Sequence, residues 1–143
     1  IAAEIVGYLA PLAIAAGQTL TLSPAEGPVM VRGNKGALSD ALRNLLENAM
    51  QHSPRDGEIM VEVSAGGTIA VSDHGAGVSE ADRPHIFERF WRGRERSETG
   101  SGLGLAIVSE TAAAHGGTVI VANNPGAGAS FTIRLPLKPS ATL

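Results

Sequence analysis

The sequence predicts an α/β fold: a two-layer sandwich in which one mixed sheet is covered on one face by helices. Three observations lead there. Apolar residues switch between helical and alternating period along the chain, and tight turns join several of the alternating runs. At 143 residues with 43% apolar composition, the chain is the size of a single domain with a single core.

The elements come in a clear order. Residues 2 to 16 carry apolar side chains at mostly helical spacing, and QTLTLS then alternates up to Pro24, which reads as a helix and then a strand. GPVMVRG is a second short strand between glycines. Asn34 is placed to cap a helix over about residues 35 to 52, which Ser53-Pro54 ends. GEIMVEVSA and GTIAVSD form a hairpin turning at Gly66-Gly67. Residues 75 to 101 keep no period, and an irregular segment this long inside a compact domain is usually functional or disordered. A helix over about residues 102 to 115 closes at Gly116-Gly117; TVIVAN and ASFTIRLPL then pair around NPGAG, and the tail KPSATL reads as frayed.

Composition removes several function classes. The net charge is −3 with no long basic run, so a nucleic-acid partner is not expected. The absence of cysteine excludes disulfides and thiolate metal sites and fits a reducing compartment. The apolar opening is interrupted by Glu4 and Pro11 and is short of a bilayer span, so it reads as neither an anchor nor a signal peptide. The chain starts at Ile1 and is expected to be a piece of a longer, cytoplasmic protein; this piece should not touch a membrane, and an anchor elsewhere in the parent stays open.

Four stretches carry chemistry. In ETGSGLGLAIVSE, Gly100, Gly102 and Gly104 precede a helix in a spacing that fits neither a dinucleotide fingerprint nor a P-loop. They either turn amides toward an anion at the helix N-terminus or simply punctuate the helix. In SDHGAGVSE, Asp73 at a strand end can accept from an exocyclic amino group while Gly75 and Gly77 admit a flat ring; a plain Asx turn is the alternative, and His74 reads as a turn residue. In ALRNLLENAMQHS, Leu38, Leu42, Leu45 and Ala49 share one helix face, with Asn44, Asn48 and Gln51 opposite. Those amide oxygens suit a Mg²⁺ completed by water and phosphate, or form a merely solvated stripe; Arg43 and Glu47 read as surface residues. Finally, DRPHIFERFWRGRERSE holds five of the eleven basic residues (Arg83, Arg89, Arg92, Arg94, Arg96) and three of the five aromatics. Arginines here can close on phosphate, whereas Arg94 and Arg96 alternate with Glu95 and Glu98 as solvated charge. Phe87 and Phe90 divide evenly between core packing and docking, and Trp91 is expected to be more exposed.

Taken together, NLLENA, DHGAG, IFERFWR and GSGLGLAIV resemble, in order and spacing, the N, G1, F and G2 boxes of sensor histidine kinases, and GAGASFTIRLP resembles the last box. Nearly the whole chain resembles their catalytic and ATP-binding domain, in the superfamily that also holds type II topoisomerases, MutL-type repair proteins and chaperone ATPases. The resemblance implies the Bergerat ATP-binding fold, with about five strands and three main helices in one domain over residues 1–143, and an ATP lid over residues 78–100. It implies that Asp73 binds the adenine amino group and that Asn48, with Asn44, organises Mg²⁺. ATP would be further lined by Gln51, His52, Gly75, Gly77, Val78 and Phe87, with Gly100, Ser101, Gly102, Leu103, Gly104 and Leu105 around the phosphates and Arg89 or Arg92 reaching the γ-phosphate. Gln51 and His52 stand where many such kinases carry Lys or Arg and then Tyr.

Hydrolysing members of that superfamily place a glutamate one turn before the magnesium asparagine; here Asn44 stands there and cannot take a proton, which disfavours hydrolysis. None of His52, His74, His85 or His115 sits in the acidic-Leu-Arg context of a phosphoacceptor. The expected acceptor is an upstream dimerising helical hairpin, with a response regulator next in line and Trp91 and Phe90 docking the hairpin. An anti-sigma-type serine kinase and a non-catalytic nucleotide sensor are the rival readings.

Overall fold

The computed structural model describes residues 1–91, 103–124, 127–137 and 141–142. Among these, three helices pack on one face of a five-stranded sheet, as the sequence predicts. Helix α1 is Ala2–Ala15, α2 is Lys35–His52 and α3 is Gly104–Ala114. The strands are β1 Thr19–Ser23, β2 Met30–Val31, β3 Glu58–Ser64, β4 Thr68–Ser72, β5 Thr118–Asn123, β6 Ala129–Arg134 and β7 Ala141–Thr142.

Each helix ends by identifiable chemistry. Asn34 Oδ1 accepts from the Ala37 amide at 2.9 Å, capping α2, and Ser53 N–H bonds the Ala49 carbonyl before Pro54 forces extended backbone. Helices α1 and α3 close alike: Gly17 and Gly116 take φ +75°, and the next residues, Gln18 and Gly117, donate back to Ala13 and Ala112. Both are Schellman closures, in which a left-handed residue satisfies the last carbonyls. Helix α1 continues through Pro11, which only forfeits its bond to the Gly7 carbonyl.

The main sheet runs β1-β3-β4-β6-β5, with β1 and β3 parallel and the other pairs antiparallel. The parallel pair needs a crossover, and α2 supplies it. Alternation along the strands sends Ile59, Val61, Ile69, Val71, Phe131 and Ile133 toward the helices, all at most 4% exposed. Against them α2 lays Leu42, Leu45 and Leu46, none more than 1% exposed, and each such side chain stabilises the fold by about 1.5–3 kcal/mol. The opposite face carries Glu62, Thr132 and the 55% exposed Ile120.

Two parts of the sequence reading change. GPVMVRG does form a strand, but β2 lies outside the main sheet and pairs antiparallel with β7, Met30 against Thr142 and Val31 against Ala141. The tail read as frayed is therefore paired at Ala141–Thr142, and the bridge from Val31 to Leu137 extends the contact. The last long strand likewise stops at Arg134 rather than running on to Leu137.

Leu45→Ala should lower stability by about 2–5 kcal/mol through the cavity it leaves. Gly7→Ala, in a helix with nothing within 4 Å of the added methyl, should raise stability by up to about 1 kcal/mol. Urea midpoints of the two variants beside the wild type check both signs.

Candidate functional site

The Asp73 carboxylate stands just past β4 and is 2% exposed. Its Oδ1 accepts from the Gly75 amide at 2.9 Å and the Ala129 amide at 3.2 Å, while its own N–H donates to the Ala129 carbonyl at 3.0 Å. A carboxylate this deeply buried needs such donors, and Oδ2 takes no part in these bonds. Asn124 Nδ2 donates to the Asp73 carbonyl at 3.3 Å, and Asn124 Oδ1 accepts from Ser130 Oγ, which also meets Ser72 Oγ at 2.8 Å.

The glycines beside it are needed by the protein itself. A Cβ on Gly75 would overlap the His52 carbonyl at the end of α2. At Gly77, φ +80°, a Cβ would stand 2.8 Å from Asn123 Oδ1, and at Gly128, φ +94°, it would overlap the Asp73 carbonyl. The sequence reading gave Gly75 and Gly77 either to a flat ring or to a plain Asx turn; the bond from the Gly75 amide to Asp73 Oδ1 is such a turn, and close approach to α2 and β5 is a further role the contacts display.

Helix α2 links this loop to α3. Asn44 Nδ2 donates to the Asp40 carbonyl at 2.9 Å, leaving Oδ1 facing α3, 3.2 Å from where a Cβ on Gly104 would stand. At the other end of the same helical line, His52 meets Gly75. Asn48 is half-buried midway, one turn from each. Asn44 to His52 is eight residues, about 12 Å of helix, so α2 spans from the start of α3, met by the Asn44 side chain, to the Asp73 loop, met by the His52 backbone carbonyl, a length on the scale of a nucleoside triphosphate. Leu103, at the N-cap of α3, has no side-chain oxygen to cap with, so the first-turn amides depend on an acceptor from outside the helix. Arg43 pairs with Asp40 and Glu47, as a surface residue should.

Among the described residues no three acidic or histidine side chains gather as a metal cage. Two asparagine carbonyls on one helix line fit Mg²⁺ when most of its ligands are water and phosphate oxygen, since the Asn44 amide bond to Asp40 leaves only its oxygen free to turn outward.

From Ser79 to Trp91 the chain folds as consecutive turns, such as Arg83 N–H to the Ser79 carbonyl and Glu88 N–H to the His85 carbonyl. Phe87 packs edge-on to Phe131 at 6.2 Å between centroids, which assigns it to the core. Trp91 departs from its expected exposure, and Phe90, left open between core and docking, is the exposed one. Trp91 is half-buried, stacked on His85 at 4.7 Å, and its buried Nε1 finds no acceptor among the described residues; Phe90, at φ +66°, is 69% exposed. Arg89 is paired through Nε and Nη2 with Glu110 Oε1 on α3, at 3.0 and 2.7 Å. Gln51 and His52 are exposed, and Val78, Leu103 and Leu105 half-buried. Arg92, Gly100, Ser101 and Gly102 lie outside the described residues.

Sequence reasoning gave Glu110 no role, and gave Asn123, Asn124 and Gly128 no part in holding the Asp73 loop beyond their places in the strand TVIVAN, the turn NPGAG and the last box. Only Gly128 carried a signal, as the glycine closing the β5–β6 turn.

The family model described as histidine kinase-, DNA gyrase B-, and HSP90-like ATPase matches residues 33–139. The chain is 43% identical over 118 residues to the sensor-like histidine kinase SenX3 of Mycobacterium tuberculosis, an alignment covering 78% of this chain and 29% of that protein. Among solved structures, the mycobacterial sensor histidine kinase MprB matches with a TM-score of 0.82 at 31% identity, covering 96% of this chain and 97% of that one. ShkA, solved full-length in complex with AMPPNP, matches with a TM-score of 0.81 at 32% identity, over 97% of this chain and 30% of that one.

Gly128→Ala should cost at least about 2 kcal/mol and displace the Asp73 backbone, because the site combines strain with overlap. Gly27→Ala, with nothing within 4 Å of the new methyl, should stay near the wild type. Thermal melting of the two variants separates them.

Proposed function

The chain belongs to the histidine kinase-, DNA gyrase B- and HSP90-like ATPase family, and from that premise we propose that it is the ATP-binding catalytic domain of a sensor histidine kinase. The observation that carries this reading is the span of α2 joining a buried carboxylate at one end to the start of α3 at the other. A nucleotide laid along it has its base at Asp73 and its phosphates at α3. The sensor-kinase names of the relatives favour this reading over the serine-kinase and sensor-only alternatives. The AMPPNP in the complex named for ShkA, an ATP analogue, supports the ligand class.

The residues divide the work among themselves. Asp73, with Oδ1 occupied by two amides, offers Oδ2 to the adenine amino group; Gly75, Gly77 and Val78 continue that wall. Asn48 and Asn44 hold Mg²⁺, which when bound supplies charge neutralisation to the phosphates. Gly100 to Leu105 wrap the phosphates, residues 78–100 form the lid, and residues 1–143 act as one domain. Arg92, or Arg89 after leaving Glu110, meets the γ-phosphate. His52 and Gln51 border the ligand from the last turn of α2, and Phe87 anchors the lid to Phe131.

The reaction is attack of a histidine imidazole nitrogen on the γ-phosphorus: an N–P bond forms, the bond to the bridging oxygen of ADP breaks, and the imidazole gives up its proton. This domain contributes position and charge. Asn44, where a base for water would stand, is an amide that donates to its own helix, which favours transfer over hydrolysis. The chain spans 29% of SenX3, and the remaining length of such a protein has room for the dimerising hairpin that carries the acceptor. A response regulator then takes the phosphoryl group, and the exposed Phe90 is placed to meet the hairpin. The proposed place of work is the cytoplasm, where a response regulator would be met, with an anchor elsewhere in the parent left open. Among the described residues no helix is long and apolar enough to cross a membrane.

Mg²⁺-dependent ATP titration should weaken by about tenfold to a hundredfold in Asp73→Asn, whose new NH₂ opposes the adenine amino group while Oδ1 still accepts its two amides. Asn48→Ala should weaken only the Mg²⁺-dependent part. Both variants should melt near the wild type, and unchanged affinity in both would remove the site. Incubated with γ-labelled ATP, the chain alone should take up no label, whereas an added acceptor hairpin should; label on the chain itself contradicts the assignment.

A further inference from the structure

The stretch from Asp73 to Val78 is tied at both ends by neighbouring asparagines that the nucleotide reading leaves without a role. Asn124 holds the Asp73 carbonyl. Asn123 holds Val78 at two points: the Val78 N–H donates to Asn123 Oδ1 at 2.8 Å, and Asn123 Nδ2 donates to the Val78 carbonyl at 2.9 Å. A carboxamide sets donor and acceptor side by side as a peptide unit does, so this pair imitates two rungs of a strand ladder where no strand runs. Gly77 makes room for it, because a Cβ there would press on Asn123 Oδ1. Asn123 is the last residue of β5 and is in register with Ala129, whose amide holds the Asp73 carboxylate. Past Val78 the chain up to Trp91 turns mainly on its own backbone.

We propose that Asn123 is a positioning residue for the triphosphate: it fixes the point at which the segment starting at Val78 leaves the sheet, and with it the base from which Arg89 is carried. The proposal rests on the ATP-binding reading above. Asp73 keeps its donors from Gly75, Ala129 and Asn124 when Asn123 is lost. Removing the clamp therefore leaves the Asp73 contact to the base in place and acts chiefly on the segment that Val78 begins, so binding of the base, which meets Val78 only at the edge of its wall, should suffer far less than binding of the triphosphate.

The test uses the whole chain, with Asn123→Ala and Asn123→Asp beside the wild type. Amide hydrogen exchange at Val78 is read without nucleotide, and calorimetric titration is run with Mg·ATP and with adenosine. In Asn123→Ala, Val78 exchange should quicken and ATP affinity fall, each by about tenfold, the size expected for losing a paired hydrogen bond, while adenosine affinity stays within about twofold. In Asn123→Asp one carboxylate oxygen still accepts from the Val78 N–H while the other is set against the Val78 carbonyl oxygen, so Val78 should keep only part of its protection and ATP affinity should fall as well. Unchanged Val78 exchange in Asn123→Ala overturns the clamp. Equal losses for ATP and adenosine, or no loss for either, overturn the positioning role. A wild-type chain binding neither ligand overturns the ATP reading and this role with it, and is told apart because it does not depend on residue 123.

Discussion

A carboxylate at 2% exposure is a demanding thing to build, because moving its charge out of water costs several kcal/mol unless donors replace the water. Asp73 meets that demand from two directions. One donor, Gly75, comes from its own loop and the other, Ala129, from the start of β6. The first bond bends the chain sharply after β4; the second fixes that bend against the neighbouring strand. With Oδ1 used by the fold, Oδ2 is the oxygen left for the proposed adenine contact, and in that reading stability and recognition would draw on different atoms of one side chain.

The glycines around the site serve this same arrangement. Gly75, Gly77, Gly104 and Gly128 each sit where a Cβ would press on a neighbouring segment: α2, Asn123, Asn44 and the Asp73 backbone respectively. Four segments distant in sequence therefore approach more closely than side chains would permit. A motif glycine is commonly assigned to the ligand that approaches it, but here each is already committed to bringing two protein segments together. The proposed ligand surface would be a consequence of that close packing, since it is these contacts that bring the Asp73 loop and the start of α3 to the two ends of α2.

What was legible in the sequence was what local chemistry decides. The Asn34 cap, the Ser53-Pro54 stop, the Gly66-Gly67 hairpin and the Gly116-Gly117 closure depend on neighbours within a few residues, and all stand where period and turn chemistry put them. Among the four chemical stretches, the α2 faces were equally readable, because 3.6-residue periodicity separates Leu42 and Leu45 from Asn44 and Asn48. The failures involve partners far away along the chain. The pairing of β2 with β7 joins residues about the whole domain apart, and a two-residue strand has no period of its own to announce it. Trp91 reads as exposed because it precedes an arginine, yet its ring meets His85 and the core, and the adjacent Phe90, at positive φ, is turned outward instead. Asn123 reads as the end of a strand and Asn124 as the start of the NPGAG turn; only the three-dimensional return of the Asp73 loop gives their amides something to hold.

The ion pair between Arg89 and Glu110 shows why a tidy contact need not be a strong one. Both side chains are more than half exposed, 62% and 55%, and pairs in that setting are worth about 0.2–1 kcal/mol. A triphosphate near the start of α3 presents several negative charges, and an arginine meets phosphate oxygens through two parallel hydrogen bonds. In the proposed reading, exchange of the carboxylate for phosphate would therefore give up little and gain a denser anion. Glu110 lies on α3 itself, less than two turns past its start at Gly104, so the exchange moves the guanidinium along one helix rather than across the molecule. A weak holding contact of this kind would let the segment be ordered without nucleotide and still yield to one bound as proposed.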